Sequence, residues 1–256
     1  MWNRTPGKVR VDGAVHASTA AEAVATSGLV VACLSTYDAT VEALEEADLA
    51  GRTLVTLNSG TPSGARWTAD WSVGRGARFL DGAVKNVPAA VGADDTQLYY
   101  SGDPAVYAEH EDTLRVLGGD TSLLGSDVDL AKLYEYAVGG TLLPALVGFF
   151  QGAALVTARD RTAASLVPHA VKWLEMIAAV LPGFADEIDR GDFTRPQSSV
   201  GVFHDAIPYD HEVTGEAGLD STWHEPLHDL LRRAVAGGRR EHSIAALVEV
   251  LREPVV

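Results

Sequence analysis

Between Asp127 and Arg161 the chain changes character within a few residues. It opens with charge (Asp127, Asp129, Lys132, Glu135) and then, from Tyr136 to Ala158, carries no ionisable group apart from the tyrosine. That run of about two dozen residues is long enough to cross a bilayer. It is read instead as a long buried helix of a soluble protein. Gly140, Gly148 and Gly152 recur in steps of eight and four, so they fall on one side and let another backbone approach. Pro144 shares that side and is expected to kink the helix by leaving the Gly140 carbonyl without its donor. Glu135 stands where charge gives way to apolar surface. Its carboxylate is either a solvated residue at a helix end or a group half withdrawn into a cleft.

Length and charge bound the rest. A chain of 256 residues buries a sizeable core as one large domain or two. A formal net charge of −15, with no basic run, makes nucleic acid and anionic membrane poor partners. One cysteine, Cys33, excludes an internal disulfide framework and a cysteine-based zinc cluster and fits a reducing cytosol; on an apolar run it reads as inert core. The first residues have no apolar core of the kind a signal peptide needs. These features point to a cytoplasmic protein.

The first half alternates strand and helix patterns. Ala14–His16 is a short strand candidate, and Thr19 with Glu22 has capping-box spacing for a helix. Leu29–Leu34 and Thr53–Leu57 are continuous apolar runs, the signature of strands covered on both faces. Tyr37–Ala47 is helical, and Thr61-Pro62 caps and opens another helix. Further strands are expected at 78–84, 97–101 and 121–124, and a helix at 104–117. The result is a largely parallel sheet with right-handed crossovers, whose ligands bind beyond the carboxyl ends of the strands. The segments there, Asn3-Arg4-Thr5, Leu34-Ser35-Thr36 and Asn58 to Thr61, are polar and hydroxyl-rich. They suit a nucleotide shelf or are ordinary turns. After Asp127 the patterns are helical throughout, at about 128–158, 163–189, 197–217 and 225–251. The domain boundary is placed near Gly125-Ser126, giving domains 1–125 and 126–256.

Trp2-Asn3-Arg4-Thr5-Pro6-Gly7-Lys8, Leu57 to Pro62, Tyr99-Tyr100-Ser101-Gly102 and Leu133-Tyr134-Glu135, in this order, resemble the bacterial imine reductases and reductive aminases of the β-hydroxyacid dehydrogenase group. Glu216 to Asp220 and Leu247 to Leu251 look like the same family's tail. The resemblance implies a Rossmann domain, a long interdomain helix and an all-helical C-terminal dimerisation domain. It implies an intertwined homodimer whose active site lies between one chain's Rossmann domain and the other's helices. It implies NADPH as hydride donor and a small imine or amine as substrate. Arg4, Thr5 and Lys8, beside Asn3, match the loop that holds the 2′-phosphate, a task suited to converging guanidinium, hydroxyl and ammonium groups. On this reading NADH is the weaker cofactor.

The same resemblance exposes a gap. The family's strand, G-x-G-x-x-G turn and helix precede this loop, and no such turn occurs in the present sequence. About thirty residues, one βα unit, are unmatched. Either the start is set at an internal codon, or the unit is lost. Weak or absent NADPH binding is expected of the chain as given, with unpaired backbone at the strands near Asn3 and Leu29.

By register, Glu135 takes the position where imine reductases carry Asp or Tyr. It is the candidate catalytic group, either a proton donor or a carboxylate that stabilises the iminium by charge. The ordinary alternative is an exposed helix residue paired with Lys132. Leu143 replaces an aromatic two turns later; Tyr209, His211 and Glu212 either line an unusual pocket or face solvent. His224-Glu225-Pro226-Leu227-His228 fits the H-E-x-x-H zinc pattern. It is set aside because Pro226 prefers the first helical turn, which leaves His224 outside the helix, and because no third ligand is evident. No metal is expected. Three activities remain: an NADPH-dependent reductase of a cyclic imine or iminium, a repurposed homologue that keeps the dimeric scaffold without the redox cofactor, and, ranked lowest, a β-hydroxyacid dehydrogenase.

Overall fold

The computed structural model describes residues 1–5, 7 and 11–253. It has five strands in one sheet, with β1 (Leu29–Ala32), β2 (Thr53–Thr56), β3 (Arg78–Lys85), β4 (Gln97–Gly102) and β5 (Asp120–Leu123) side by side in chain order. Three pairings are parallel and β3–β4 is antiparallel. Residues 86–96 between those two strands hold only a single 3-10 turn, Pro88–Ala90, too short a connection to carry the chain back for a parallel pairing. Ala14–His16 does not pair as a strand, and Trp2-Asn3 forms no ladder.

Four helices accompany the strands: α1 (Ala20–Ala25), α2 (Tyr37–Leu44), α3 (Pro62–Val73) and α4 (Pro104–Leu114). The first three are opened by threonine caps, Thr19, Thr36 and Thr61, whose hydroxyls each accept the backbone N–H three residues on. β2 is buried along its whole length, as its apolar run requires. β1 is not. Val31 is exposed, because β1 is an edge strand and, among the described residues, pairs on one side only. Covering on both faces was expected there and is not found. Cys33 lies past the end of β1 and is exposed, so it is not the inert core thiol that the apolar run suggested.

The chain divides into two compact units, Met1–Leu143 and Pro144–Val256. By its contacts α5 (Leu130–Gly139), which follows the boundary expected near Gly125, packs on β3 and β4. The long helix is interrupted at Gly140-Thr141, the turn whose carbonyl Pro144 cannot serve, and resumes as α6 (Leu142–Thr157).

The second unit contains α7 (Ala163–Arg190), α8 (Val200–Glu216), α9 (Glu225–Ala236) and α10 (Leu247–Arg252). The pattern at 225–251 is broken by Gly237-Gly238 into the last two helices. Its core is small: Val200, Ala234 and Val250, with Leu230, Leu231, Val235 and Leu247 against them. None of the 28 residues of α7 is buried, and neither is any residue of α6. Leu146, Phe150, Trp173, Leu174, Ile177 and Leu181 all stand exposed. The runs Leu130–Thr157 and Ala163–Arg190 are long and apolar enough to cross a membrane, by length and composition alone.

Candidate active site

The first unit buries a lysine completely. Lys132, on the first turn of α5, has a side chain with 0 % exposure, which an ammonium tolerates only if its three donors are engaged. They are. Nζ donates to the main-chain carbonyls of Asn58 and Gly82 (2.8 Å to the latter) and to Oε2 of Glu135 at 3.0 Å. Gly82 must be glycine here: a Cβ would come within 2.7 Å of Leu57 and 2.8 Å of Tyr100.

Beneath this lysine sits a buried carboxylate. Asp81, in the middle of β3, accepts hydrogen bonds at 2.7 Å from both Tyr37 and Thr56, on the same oxygen, Oδ1. Its other oxygen has no hydrogen-bond partner and lies 4.0 Å from Lys132 Nζ. Burial pushes the Asp81 carboxyl up to about 6, while the lysine charge and the two hydroxyl donors pull the other way. The Tyr37 phenol is driven up by burial and by Asp81, so it stays a donor. Asn58 ties the end of β2 to the start of α2 by donating to the Thr36 carbonyl and the Thr40 hydroxyl.

Glu135 is the outermost member of this network. Its side chain is 24 % exposed, held by Lys132 on one side. Lys85, at the end of β3, donates to its main-chain carbonyl at 3.3 Å. The acid pairs with Lys132, and it is partly withdrawn because the lysine it pairs with is buried. What the sequence did not indicate was the support behind it, Lys132, Asp81, Tyr37 and Thr56. An Asp at mid-strand within R-F-L-D-G-A-V was the only available signal.

The other expected site residues are distributed unevenly. Asn3 and Leu34 line a cleft of ≈ 470 Å³ along the open edge of β1, together with Trp2, Ser27 and Cys33. Arg4, Thr5, Ser35 and Ser59 are exposed, and Lys8 lies outside the described residues. The Thr61 hydroxyl is occupied, accepting from Gly64 N at 3.2 Å as the cap of α3. Leu143 is exposed on α6 in the first unit, and Tyr209 and His211 are exposed on α8 in the second. For a dinucleotide the fit is partial. The shelf beyond β1 and β2 is polar and open, but no glycine-rich turn leads from a strand into a helix among the described residues; α1, the helix before β1, follows no strand.

Comparison with known proteins agrees with this geometry. Residues 127–253 match the sequence model of the NADPH-dependent reductive aminase-like C-terminal domain. The chain is 30 % identical to an NADPH-dependent reductive aminase of Aspergillus oryzae over 97 % of its own length and 87 % of the relative's. It superposes on a reductive aminase from Aspergillus terreus, solved with NADPH and ethyl levulinate, with a TM-score of 0.89 at 32 % identity, covering 98 % of this chain and 89 % of that one. It superposes on an imine reductase from Bacillus cereus with a TM-score of 0.86 at 29 % identity, covering 94 % and 85 %.

Proposed function

Because the chain belongs to the family of NADPH-dependent reductive aminases and imine reductases, we propose that it serves the reduction of a C=N bond in a cyclic imine or iminium, with Glu135 as the group that meets the nitrogen. The observation that carries this reading is the Lys132–Glu135 pair: a partly open carboxylate fixed at 3.0 Å by a fully buried ammonium. A carboxylate pinned in this way does not reorganise when positive charge develops on a nearby nitrogen, which is the condition for electrostatic stabilisation of a cationic intermediate. Asp81, Tyr37 and Thr56 set the position of Lys132, and Lys132 sets that of Glu135. The hydride is supplied by NADPH when it is bound.

The N-terminal segment supports only part of a dinucleotide site. Asn3 borders the cleft, and Arg4 and Thr5 stand exposed near it, suited to a phosphate, while a pyrophosphate cradle of glycine N–H groups is lacking in the sequence. The 256-residue chain is accordingly expected to bind NADPH weakly, with a Kd above the micromolar range by isothermal titration; a micromolar Kd contradicts this part of the reading. The protein is cytoplasmic, and a second copy covers the apolar faces of α6 and α7.

The activity test is NADPH oxidation in the presence of a cyclic imine, with cofactor in excess. Glu135→Gln, which keeps size and hydrogen bonding but removes the charge, is expected to lower kcat/KM by about 10²-fold or more. Turnover equal to that of the unaltered chain would show that another group meets the iminium.

A further inference from the structure

The second unit holds a cluster of nitrogen and oxygen donors that the reductase chemistry does not use. His228, on α9, is 3 % exposed, and its Nδ1 has no hydrogen-bond partner. Its Nε2 lies 3.1 Å from Oδ2 of Asp210, on α8. His224 precedes α9 by one residue, in the 3-10 turn Thr222–His224, and its Nδ1 is likewise buried and unpartnered. One ligand atom from each of Asp210, His224 and His228 lies within 4.8 Å of the others. Two orphaned ring nitrogens in one buried cluster are a standing cost to the fold unless something accepts their lone pairs or protons.

The two objections that the sequence raised against an H-E-x-x-H site are answered by the local geometry. Pro226 does occupy the first turn of α9, and His224 does lie before it. But the backbone of His224 is already right-handed helical, at φ −76 and ψ −24, so the four-residue spacing still puts both rings on one face, with centroids 5.4 Å apart. The third donor comes from another helix, fourteen residues upstream of His224, where no local pattern would show it.

We propose that Asp210, His224 and His228 form a binding site for a borderline divalent transition-metal ion of the zinc type, which clamps α9 to α8. Two imidazoles and one carboxylate are a donor set of this class, and metal–ligand bonds of about 2.0–2.2 Å would draw the three atoms closer than the 4.8 Å within which they lie. The remainder of the cluster supports the ligands. Glu225 Oε1 lies 3.8 Å from His228 Nδ1 and 3.5 Å from His211 Nε2. With a metal on Nε2, the Nδ1–H of His228 would be left to donate to this carboxylate, which stands beyond hydrogen-bond distance in the present structure. Glu225 is held in turn by Arg232 at 3.2 Å. Glu225 lies on the Nδ1 side of His228, and three protein donors leave a fourth position for water.

Co²⁺ titrated into the chelator-stripped full chain tests the assignment, read both calorimetrically and by the visible ligand-field bands of a four-coordinate centre. One equivalent is expected to bind, with those bands, and Zn²⁺ is expected to raise Tm and displace the colour. Asp210→Ala and His224→Ala alter side chains that are not fully buried, so folding is expected to survive and circular dichroism checks it. Each is expected to weaken Co²⁺ by more than about a hundredfold and to abolish the Tm rise, since even the partners of a ligating histidine are worth roughly 10–100-fold. Glu225→Gln is expected to cost about tenfold. No stoichiometric binding, or binding that persists unchanged in both alanine variants, overturns the site.

Discussion

The sheet unit and the helical unit solve opposite problems. In Met1–Leu143 the expensive groups are inside and largely engaged: Lys132 and Asp81 have no exposure and share hydrogen bonds with Tyr37, Thr56, Glu135 and two main-chain carbonyls, with one Asp81 oxygen left unpartnered. In Pro144–Val256 the apolar groups are outside and bare: α7 runs for 28 residues without burying one of them. The first unit completes its interior from its own residues. The second has a small buried core and two helices, α6 and α7, with no buried residue among those described. A protein surface seldom leaves such a continuous apolar face uncovered, and faces of this length belong to interfaces between subunits. The contrast teaches that the Lys132–Glu135 geometry is set by residues of the sheet unit alone, while α6 and α7 find no comparable burial within the chain.

The contrast is broken most severely at Lys132. Lys132→Met leaves Asp81 as an uncompensated buried charge, and a loss of about 3–5 kcal/mol in denaturant-induced unfolding is expected. Asp81 sharpens it. Its folded pKa is raised from the ordinary 3.8 to about 6, so the stability it contributes is complete below the lower value and is lost as pH rises through the higher one. Comparing unfolding free energies of the parent and Asp81→Asn at pH 4 and pH 8 should reveal a fall of roughly 3 kcal/mol in the parent that the asparagine variant lacks. A smaller effect is expected from the helical unit. Ile177→Asp, on the bare face of α7, should weaken self-association by roughly 2 kcal/mol, about thirtyfold in Kd by analytical ultracentrifugation, with the unfolding of the sheet unit unaltered. Smallest is Thr61→Ala. Loss of the α3 cap should cost about 1 kcal/mol in thermal or denaturant unfolding and leave association untouched.

How much of this was legible in the sequence depends on the range of the interaction involved. The threonine caps and β2 could be read directly, because a cap or a buried strand is a local pattern. The exposure of Val31 could not: the same apolar run describes a central strand or an edge strand, and only the pairing partners decide. Glu135 was found through its register in a family motif. The burial of Lys132 was not, since it depends on carbonyls 74 and 50 residues away in sequence. The histidine pair at 224 and 228 was visible as spacing and was set aside for Pro226 and for want of a third ligand; the proposed site takes that ligand from α8, out of reach of any local pattern. Cys33 was misplaced for a simpler reason. The apolar run suggested a strand through Leu34, and β1 stops at Ala32.

Sedimentation equilibrium of the unaltered chain, in buffer without detergent, tests most directly the idea that two copies share the helical scaffold. A single soluble species of twice the 27.0 kDa chain mass is expected. A stable 27.0 kDa monomer, or a chain that stays in solution only with detergent, would contradict it.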